Sequence, residues 1–335
     1  MSPSGRILAC LLAPVAWACA ADSFEVPSAC RNPVYCRESG RFEVESQLAD
    51  WTDDARNRTL PVKIYRPKGV SEPLPAILFS HGLGGSREAA EYAGRFWASF
   101  GYLSVHVQHP GTDASAWRGE TSREGVMEAL QGSLTWRNID ARYRDVGFVV
   151  EQLRQGVAGR VDPRRIGIAG HSMGAHTVLA AVGQRPGGIR RLSYKVDGLA
   201  AAVAMSPSPP QNAGAGRLEA VYADIEAPIL HLTGTEDDSP LQKDLRPADR
   251  QKPFHDIPSH PQYLLVFEGG DHMLFSGRTP GLRENPLYAR DHGWICAVTT
   301  AFFDATLRGD AQAKAWLDGL RAEDFGGDAA VYETK

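Results

Sequence analysis

Apolar positions along this chain fall into short continuous runs separated by stretches with helical spacing. The clearest run is Arg165-Ile166-Gly167-Ile168-Ala169-Gly170, which reads as a buried strand. Other such runs are Pro75 to Ser80, Tyr102 to Val107, Leu199 to Met205, Pro228 to Leu232 and Gln262 to Phe267, the last of which is expected to be the final strand. Short apolar runs bounded by turn residues are the mark of strands buried on both faces. Between them lie Glu88 to Phe100, the Ala-rich stretch Ala175 to Val182, and Asn138 to Leu153. In the last of these, Ile139, Tyr143, Val146, Val149, Val150 and Leu153 recur at helical spacing. The tail from Asp291 to Leu320 also reads as helical. Ahead of this alternation, Phe42 to Trp51 and Thr59 to Tyr65 flank the turn residues Asp53 to Asn57, which predicts an antiparallel hairpin. Alternating strand and helix predicts an α/β fold, a mostly parallel sheet with helices on both faces.

Two segments break the pattern. Asp113 to Trp136 is a long polar connection bearing Trp117, Met127 and Trp136, with a short helix expected over Glu120 to Leu130. It is either a lid or a loop packed onto the body, and long connections in compact domains are often functional. Ser239 to Pro261 is polar and punctuated by proline. Neither internal repeats nor low-complexity stretches interrupt the chain.

The first twenty residues differ from all of this. Arg6 precedes an apolar run from Ile7 to Trp17, then Ala18-Cys19-Ala20. That predicts a secretory signal peptide over residues 1–20, too short in its apolar part to span a bilayer. A lipid anchor on Cys19 or Cys10 is the alternative, disfavoured by the residues before Cys19 and by the early place of Cys10. The expected organisation is therefore signal peptide 1–20, N-terminal arm 21–41, and one α/β domain over 42–335. The expected location is outside the cytoplasm, secreted or periplasmic. Cys30 and Cys36 would then form a local disulfide, stabilising by about 2 kcal/mol on a chain-entropy estimate. Cys296, in an apolar helical stretch, is expected to be a buried free thiol; its pairing with Cys30 or Cys36 is the alternative.

Composition narrows the function classes. The formal net charge is −4 and no basic run is present, which argues against a nucleic-acid partner. No stretch after the leader has the 18 or more apolar residues of a membrane span. His106 and His109 are spaced three apart on a strand and would point to opposite faces, a poor metal pair. Neither metal nor cofactor is expected.

Chemistry is carried by the ends of the predicted strands. Ile168-Ala169 leads into Gly170-His171-Ser172-Met173-Gly174, and a helix follows. Gly-x-Ser-x-Gly between strand and helix has the form of a nucleophile elbow, a strained turn whose flanking positions must be small. Ser172 would then stand at a helix N-terminus, where dipole and free N–H groups favour negative charge. Asp237 or Asp238 follows the run ending at Gly234; Asp237, three residues after that glycine, is preferred as the acid. His272 follows the final apolar run and is preferred as the base, with His292 as runner-up. His171 is too constrained beside the nucleophile. The order Ser, Asp, His is that of the α/β-hydrolase triad. A hydroxyl needs an imidazole to take its proton, and the imidazole needs a carboxylate to fix its tautomer. Upstream, His81-Gly82-Leu83-Gly84-Gly85 ends another run and reads as a loop that aims a backbone N–H at an oxyanion. His81, His109, Trp117 and Trp136 are the candidates to contact a substrate.

On these residues the chain resembles the α/β-hydrolases. It looks most like the branch of dienelactone-hydrolase-like proteins and plasma-type platelet-activating-factor acetylhydrolases. The resemblance rests on Phe79-Ser80-His81-Gly82-Leu83-Gly84-Gly85 and Gly170-His171-Ser172-Met173-Gly174 and is looser elsewhere. It implies Ser172 as nucleophile and the backbone N–H groups of Leu83 and Met173 as oxyanion donors. Dienelactone hydrolases use Cys where this chain has Ser, so their substrate does not carry over. The activity implied is hydrolysis of carboxylic esters, short-acyl or phospholipid-type, with a small-molecule or lipid ester as partner. Gly-His-Ser-Met-Gly is shared with cutinases, so a polyesterase or lipase is the alternative. A serine peptidase or an inactive binding protein stands behind both.

Overall fold

A computed structural model of the chain describes residues 25–186, 192–210, 215–239, 241–258, 261–277 and 287–335. The expected leader, with Cys10 and Cys19, and the basic pair Arg190-Arg191 lie outside the described residues. Nine strands form one sheet in the order β1-β2-β4-β3-β5-β6-β7-β8-β9. The strands are β1 Val44–Asp53, β2 Arg58–Pro67, β3 Leu74–Ser80, β4 Leu103–Val107, β5 Val161–His171, β6 Leu199–Met205, β7 Ile229–Glu236, β8 Gln262–Asp271 and β9 Ala329–Thr334. From β4 across to β8 all neighbours are parallel. The β1–β2 hairpin joins antiparallel through β2–β4, and β9 closes the other edge antiparallel to β8.

The helices are α1 Glu91–Ser99, α2 Arg123–Ser133, α3 Trp136–Arg154, α4 Met173–Ala181, α5 Ala215–Tyr222, α6 Lys252–Asp256, α7 Tyr288–Leu307 and α8 Ala311–Gly319. The sheet sorts its side chains by alternation. In β3, Ile77 and Phe79 join a layer with Trp97 of α1 and Trp294, Phe302 and Phe303 of α7. Ala76 and Leu78 join the opposite layer with Val146 and Val149 of α3 and Val178 of α4. Strands buried on both sides read as continuous apolar runs, which is why their periodicity was visible as runs rather than as alternation.

Two expectations about the C-terminal part are corrected. Gln262–Phe267 is not in the final strand, because Ala329–Thr334 adds an edge strand after the helices. This strand is short, follows the turn at Gly326-Gly327, and buries only Ala329 and Tyr332, so its apolar signal is weak. The helical tail is broken at Gly309-Asp310, where Asp310 caps α8 by accepting from the Gln312 and Ala313 N–H groups.

Cys30 and Cys36 are joined, with Cα atoms 5.7 Å apart. Their loop inserts Tyr35 between Phe100 and Trp316, and the Tyr35 hydroxyl donates to Asp304 Oδ2 at 2.9 Å. Glu25 N–H donates to the Ala289 carbonyl, so the segment runs along α7. Cys296 is a buried free thiol in α7.

Candidate active site

The central strand β5 hands the chain to α4 through one residue. Ser172 takes φ 56° and ψ −115°, a left-side conformation that a non-glycine residue adopts only when its surroundings enforce it. They do so here by close approach. A Cβ on Gly174 would lie 1.9 Å from the Ser80 carbonyl oxygen, and one on Gly170 would lie 2.6 Å from the Gly174 oxygen. The Ser172 N–H donates to the Met205 carbonyl of β6 at 2.9 Å, and its own carbonyl accepts from Ala175 and His176 as α4 begins. Strand, turn and helix therefore fit only with glycine at both flanks.

Asp237 follows β7 and His272 follows β8. The two strand ends approach closely: a Cβ on Gly234 would lie 2.1 Å from the Gly270 oxygen. His272 Nδ1–H donates to Asp237 Oδ1 at 2.7 Å, and the Ser172 hydroxyl donates to His272 Nε2 at 3.0 Å. Asp237 is fully buried, and its Oδ2 accepts from the Thr233 hydroxyl at 2.8 Å. Burial pushes the Asp237 carboxyl up, but the His272 hydrogen bond and the nearby Arg250 charge outweigh it and hold the group below its ordinary value. Asp238, its neighbour, is exposed, its N–H bonded to the Glu236 carbonyl. His292 stacks on Tyr92 at 3.8 Å, and its Nε2–H donates to the Leu274 carbonyl. His171 Nε2–H donates to the His272 carbonyl at 2.8 Å, bracing the loop that carries the base.

The loop after β3 approaches Ser172 closely: a Cβ on Gly82 would lie 3.4 Å from Ser172 Cβ. Met173 N–H is the first of α4 and has no partner within the helix. Leu83 N–H lies in the loop after β3. Among the described residues no backbone acceptor takes either group. A hydroxyl hydrogen-bonded to a carboxylate-held imidazole can attack a carbonyl and pass on its proton, and N–H groups beside it can hold the resulting oxyanion.

Residues 52–158 match the family described as platelet-activating factor acetylhydrolase, isoform II. The chain is also similar to cutinases. It is 27% identical to cutinase est2 of Thermobifida alba over 216 residues, 62% of this chain and 63% of that protein. It is 30% identical to cutinase est1 of Thermobifida alba over 127 residues, 36% of this chain and 42% of that one. With cutinase 2 of Thermobifida cellulosilytica the identity is 29% over 127 residues, 36% of this chain and 47% of its relative. The chain thus spans less than two thirds of the length of the curated relatives it matches. The sheet and its flanking helices have the α/β-hydrolase fold.

Of the four residues expected against a substrate, the fold seals two inside. His81 and His109 are fully buried, so the expectation of substrate contact is corrected for both. Their ring nitrogens are taken. His81 Nδ1–H donates to the Gly82 carbonyl at 2.6 Å, and its Nε2 accepts from the His109 N–H at 3.0 Å. His109 Nδ1–H donates to Asp145 Oδ2 at 3.0 Å, and its Nε2 accepts from the Ser80 hydroxyl at 3.0 Å. Both imidazoles are neutral. Burial and the Arg142 charge hold His109 down at about 4 and His81 well below its ordinary value. Trp117 is half-buried at the mouth of the loop, its Nε1–H donating to the Gly84 carbonyl at 2.9 Å. Trp136 opens α3 with 54% of its surface exposed.

Sequence reasoning missed two arginines. Arg250, nearly fully buried, donates through Nε to the Asp237 carbonyl at 2.7 Å and to Asp237 Oδ1 at 2.9 Å. Its Nη1 donates to the Ser206 carbonyl at 3.0 Å and the Ser208 hydroxyl at 3.2 Å. It ties the ends of β6 and β7 together under the acid. Nothing in the polar segment around it marks it out. Arg142, fully buried on α3, had a readable signal: with Asp145 it places charge on the same helical stripe as Val146 and Val149.

Proposed function

We propose that the protein is an exported serine hydrolase of carboxylic esters, with Ser172 as nucleophile, His272 as base and Asp237 as the orienting acid. The observation that carries this is the hydrogen-bonded line from the strained Ser172 through His272 to buried Asp237. Ser172 Oγ attacks the ester carbonyl carbon as its proton passes to His272 Nε2. Leu83 and Met173 N–H groups stabilise the oxyanion. Collapse of the intermediate expels the alcohol, which takes the proton from His272 and leaves an acyl group on Ser172. Water, deprotonated by His272, repeats the attack and frees the carboxylic acid. Asp237, held ionised, fixes the His272 tautomer and stabilises the imidazolium.

Short-acyl or phospholipid-type esters are the favoured substrates, supported by the match to the acetylhydrolase family and by half-buried Trp117 beside the oxyanion loop. The similarity to cutinases supports a second reading, a polyesterase with an open groove. Export is supported by the leader-like first twenty residues and by the Cys30–Cys36 disulfide. The test is kcat/KM over monomeric p-nitrophenyl esters of graded length, with a phospholipid panel and a polyester film beside them. A fall beyond butyryl is the expected result. A climb through long acyl chains, with release of products from the film, would favour the polyesterase. No turnover of any ester would overturn the reading.

A further inference from the structure

Resting on the reading that Leu83 and Met173 N–H groups receive the oxyanion, we propose that Arg142 is the positioning residue that sets the spacing between those two donors. The donors belong to different elements, the loop after β3 and the first turn of α4, and one buried guanidinium bonds to the framework of both.

On the loop side, Arg142 Nη2 donates to the Ser80 hydroxyl at 3.0 Å and to the His81 carbonyl. Its Nη1 donates to the Thr112 hydroxyl at 2.9 Å, and the Thr112 carbonyl accepts the Gly84 N–H at 2.9 Å. The orientation of the Leu83 N–H follows from its own peptide plane. The carbonyl of that plane is Gly82 O, which accepts from His81 Nδ1–H at 2.6 Å and from the Gly85 N–H at 3.1 Å. In a trans peptide the N–H points opposite to the C=O. Two donors gripping the Gly82 oxygen therefore aim the Leu83 N–H away from them. His81 grips it through Nδ1–H, and because its Nε2 accepts from the His109 N–H, that is the neutral Nδ1–H tautomer.

On the helix side, Arg142 Nε donates to the Thr177 hydroxyl at 2.8 Å, and that hydroxyl donates onward to the Met173 carbonyl at 2.9 Å. Thr177 has one proton to give and gives it to Met173, so it receives from Arg142. Arg142 thus reaches the first residue of α4 through one side chain and the oxyanion loop directly. Lys cannot reproduce this, because it lacks the planar fork that serves Thr177, Thr112, Ser80 and His81 at once.

The experiment uses the full mature protein and p-nitrophenyl butyrate, with an alkyl trifluoromethyl ketone as a probe of the oxyanion site. Ser172 adds to that ketone and leaves an oxyanion where the tetrahedral intermediate would hold one. Arg142→Lys and Thr177→Val are expected to lower kcat by about 10- to 100-fold, since a small misplacement of a catalytic group has effects of that size. KM should stay within about twofold and the ketone should weaken in step with kcat. Thr177→Ser, which restores the hydroxyl, should recover most of both. If Arg142→Lys does not fold, Thr177→Val carries the test, since it removes only one hydroxyl. Variants that lose thermal stability but keep kcat and ketone affinity would overturn the proposal, leaving Arg142 as packing alone. A wild type inert to every ester would instead sink the ester-hydrolase reading and the proposal with it.

Discussion

Among the described residues, two Asp-His-Ser lines have almost the same geometry. In one, Asp237, His272 and Ser172 are linked at 2.7 and 3.0 Å. In the other, Asp145, His109 and Ser80 are linked at 3.0 and 3.0 Å through the same ring atoms in the same order. Distances alone do not distinguish them. What does is the far side of each serine. Ser80 lies on a regular strand, fully buried, and its oxygen accepts from Arg142, so the lone pair a nucleophile would use is occupied. Ser172 lies on a strained turn at the start of α4 and, on the reading proposed above, faces the Leu83 and Met173 N–H groups. The carboxylates differ as well. Asp145 accepts from Arg56, Arg58 and His109 and is spent on neutralising guanidinium groups, whereas Asp237 has one arginine beneath it and one imidazole before it. His109 is held so far down by burial and Arg142 that it is a poor base at neutral pH. A hydrogen-bonded triad becomes chemistry only where the serine is reachable and the oxyanion has a receiver.

The largest effect should come from exchanging the two serines for alanine. Ser172→Ala is expected to abolish labelling by a fluorophosphonate and ester turnover together. Ser80→Ala should remain labelled, because its hydroxyl is out of reach of the reagent. Label retained in Ser172→Ala, and lost on adding Ser80→Ala, would break the distinction.

Next are the acids. Asp237→Asn should reduce kcat by about 10⁴, the size of the comparable change in a serine protease, with a modest effect on folding. Asp238→Asn should be mild. Asp145→Asn should act in the other sense. Weakening a buried pair that two arginines share costs about 3–5 kcal/mol, read as a lower denaturant midpoint. If Asp145→Asn spares stability but matches Asp237→Asn in kcat, the buried line takes part in turnover and the contrast drawn above is wrong.

Much of the fold is legible in the sequence. The parallel strands announced themselves as apolar runs because both faces of the sheet are covered. Ser172 was marked by its glycines, whose necessity the Ser80 and Gly174 contacts explain. Asp237 was separated from Asp238 by its distance from Gly234, itself pressed against Gly270. The buried line was not legible. Sequence places His81 and His109 at strand ends, where a substrate would sit, but whether an end side chain faces the cleft or the layer beneath depends on residues far away, here Asp145 and Arg142. Arg250 lay in a segment without periodicity, and its role exists only because the loops after β6 and β7 converge on it.

Acid should act on the buried imidazoles through stability. Burial holds His106, His171 and His231 at about 3 and His109 and His292 at about 4, with His81 also well below its ordinary value. Unfolded histidine titrates near 6.5. Between that value and the folded ones the unfolded chain binds protons that the native state refuses, so stability falls as pH falls. Each such histidine contributes a slope of about 1.4 kcal/mol per pH unit in that window. The depressed carboxylates Asp145 and Asp237 add their loss only lower still. Melting temperature should therefore decline steeply from about pH 6.5 downward. A flat profile from pH 7 to 4.5 would mean that these imidazoles are not held neutral in the way their partners indicate.

The smallest expected effect lies on the open side of the oxyanion loop, where Trp117 stands and the buried line does not reach. Its indole donates to the Gly84 carbonyl, and a Cβ on Gly84 would meet both its ring and Leu130 of α2 within about 3 Å. The ring is thus fixed against the loop that holds Leu83, with α2 behind it. If it forms the wall that ends the acyl pocket, Trp117→Ala should lengthen the accepted chain. Each added methylene that finds apolar cover gains about 0.8 kcal/mol, close to fourfold in binding. The wild type should instead lose kcat/KM beyond about four carbons, because a filled pocket resists further volume. The two profiles should cross, with the variant slower on acetyl esters, having lost the Gly84 anchor, and faster on hexanoyl and octanoyl esters. Parallel profiles would move the wall elsewhere, to the segment Ser239 to Pro261 that carries Arg250, and would place acyl selection on the acid's side of Ser172.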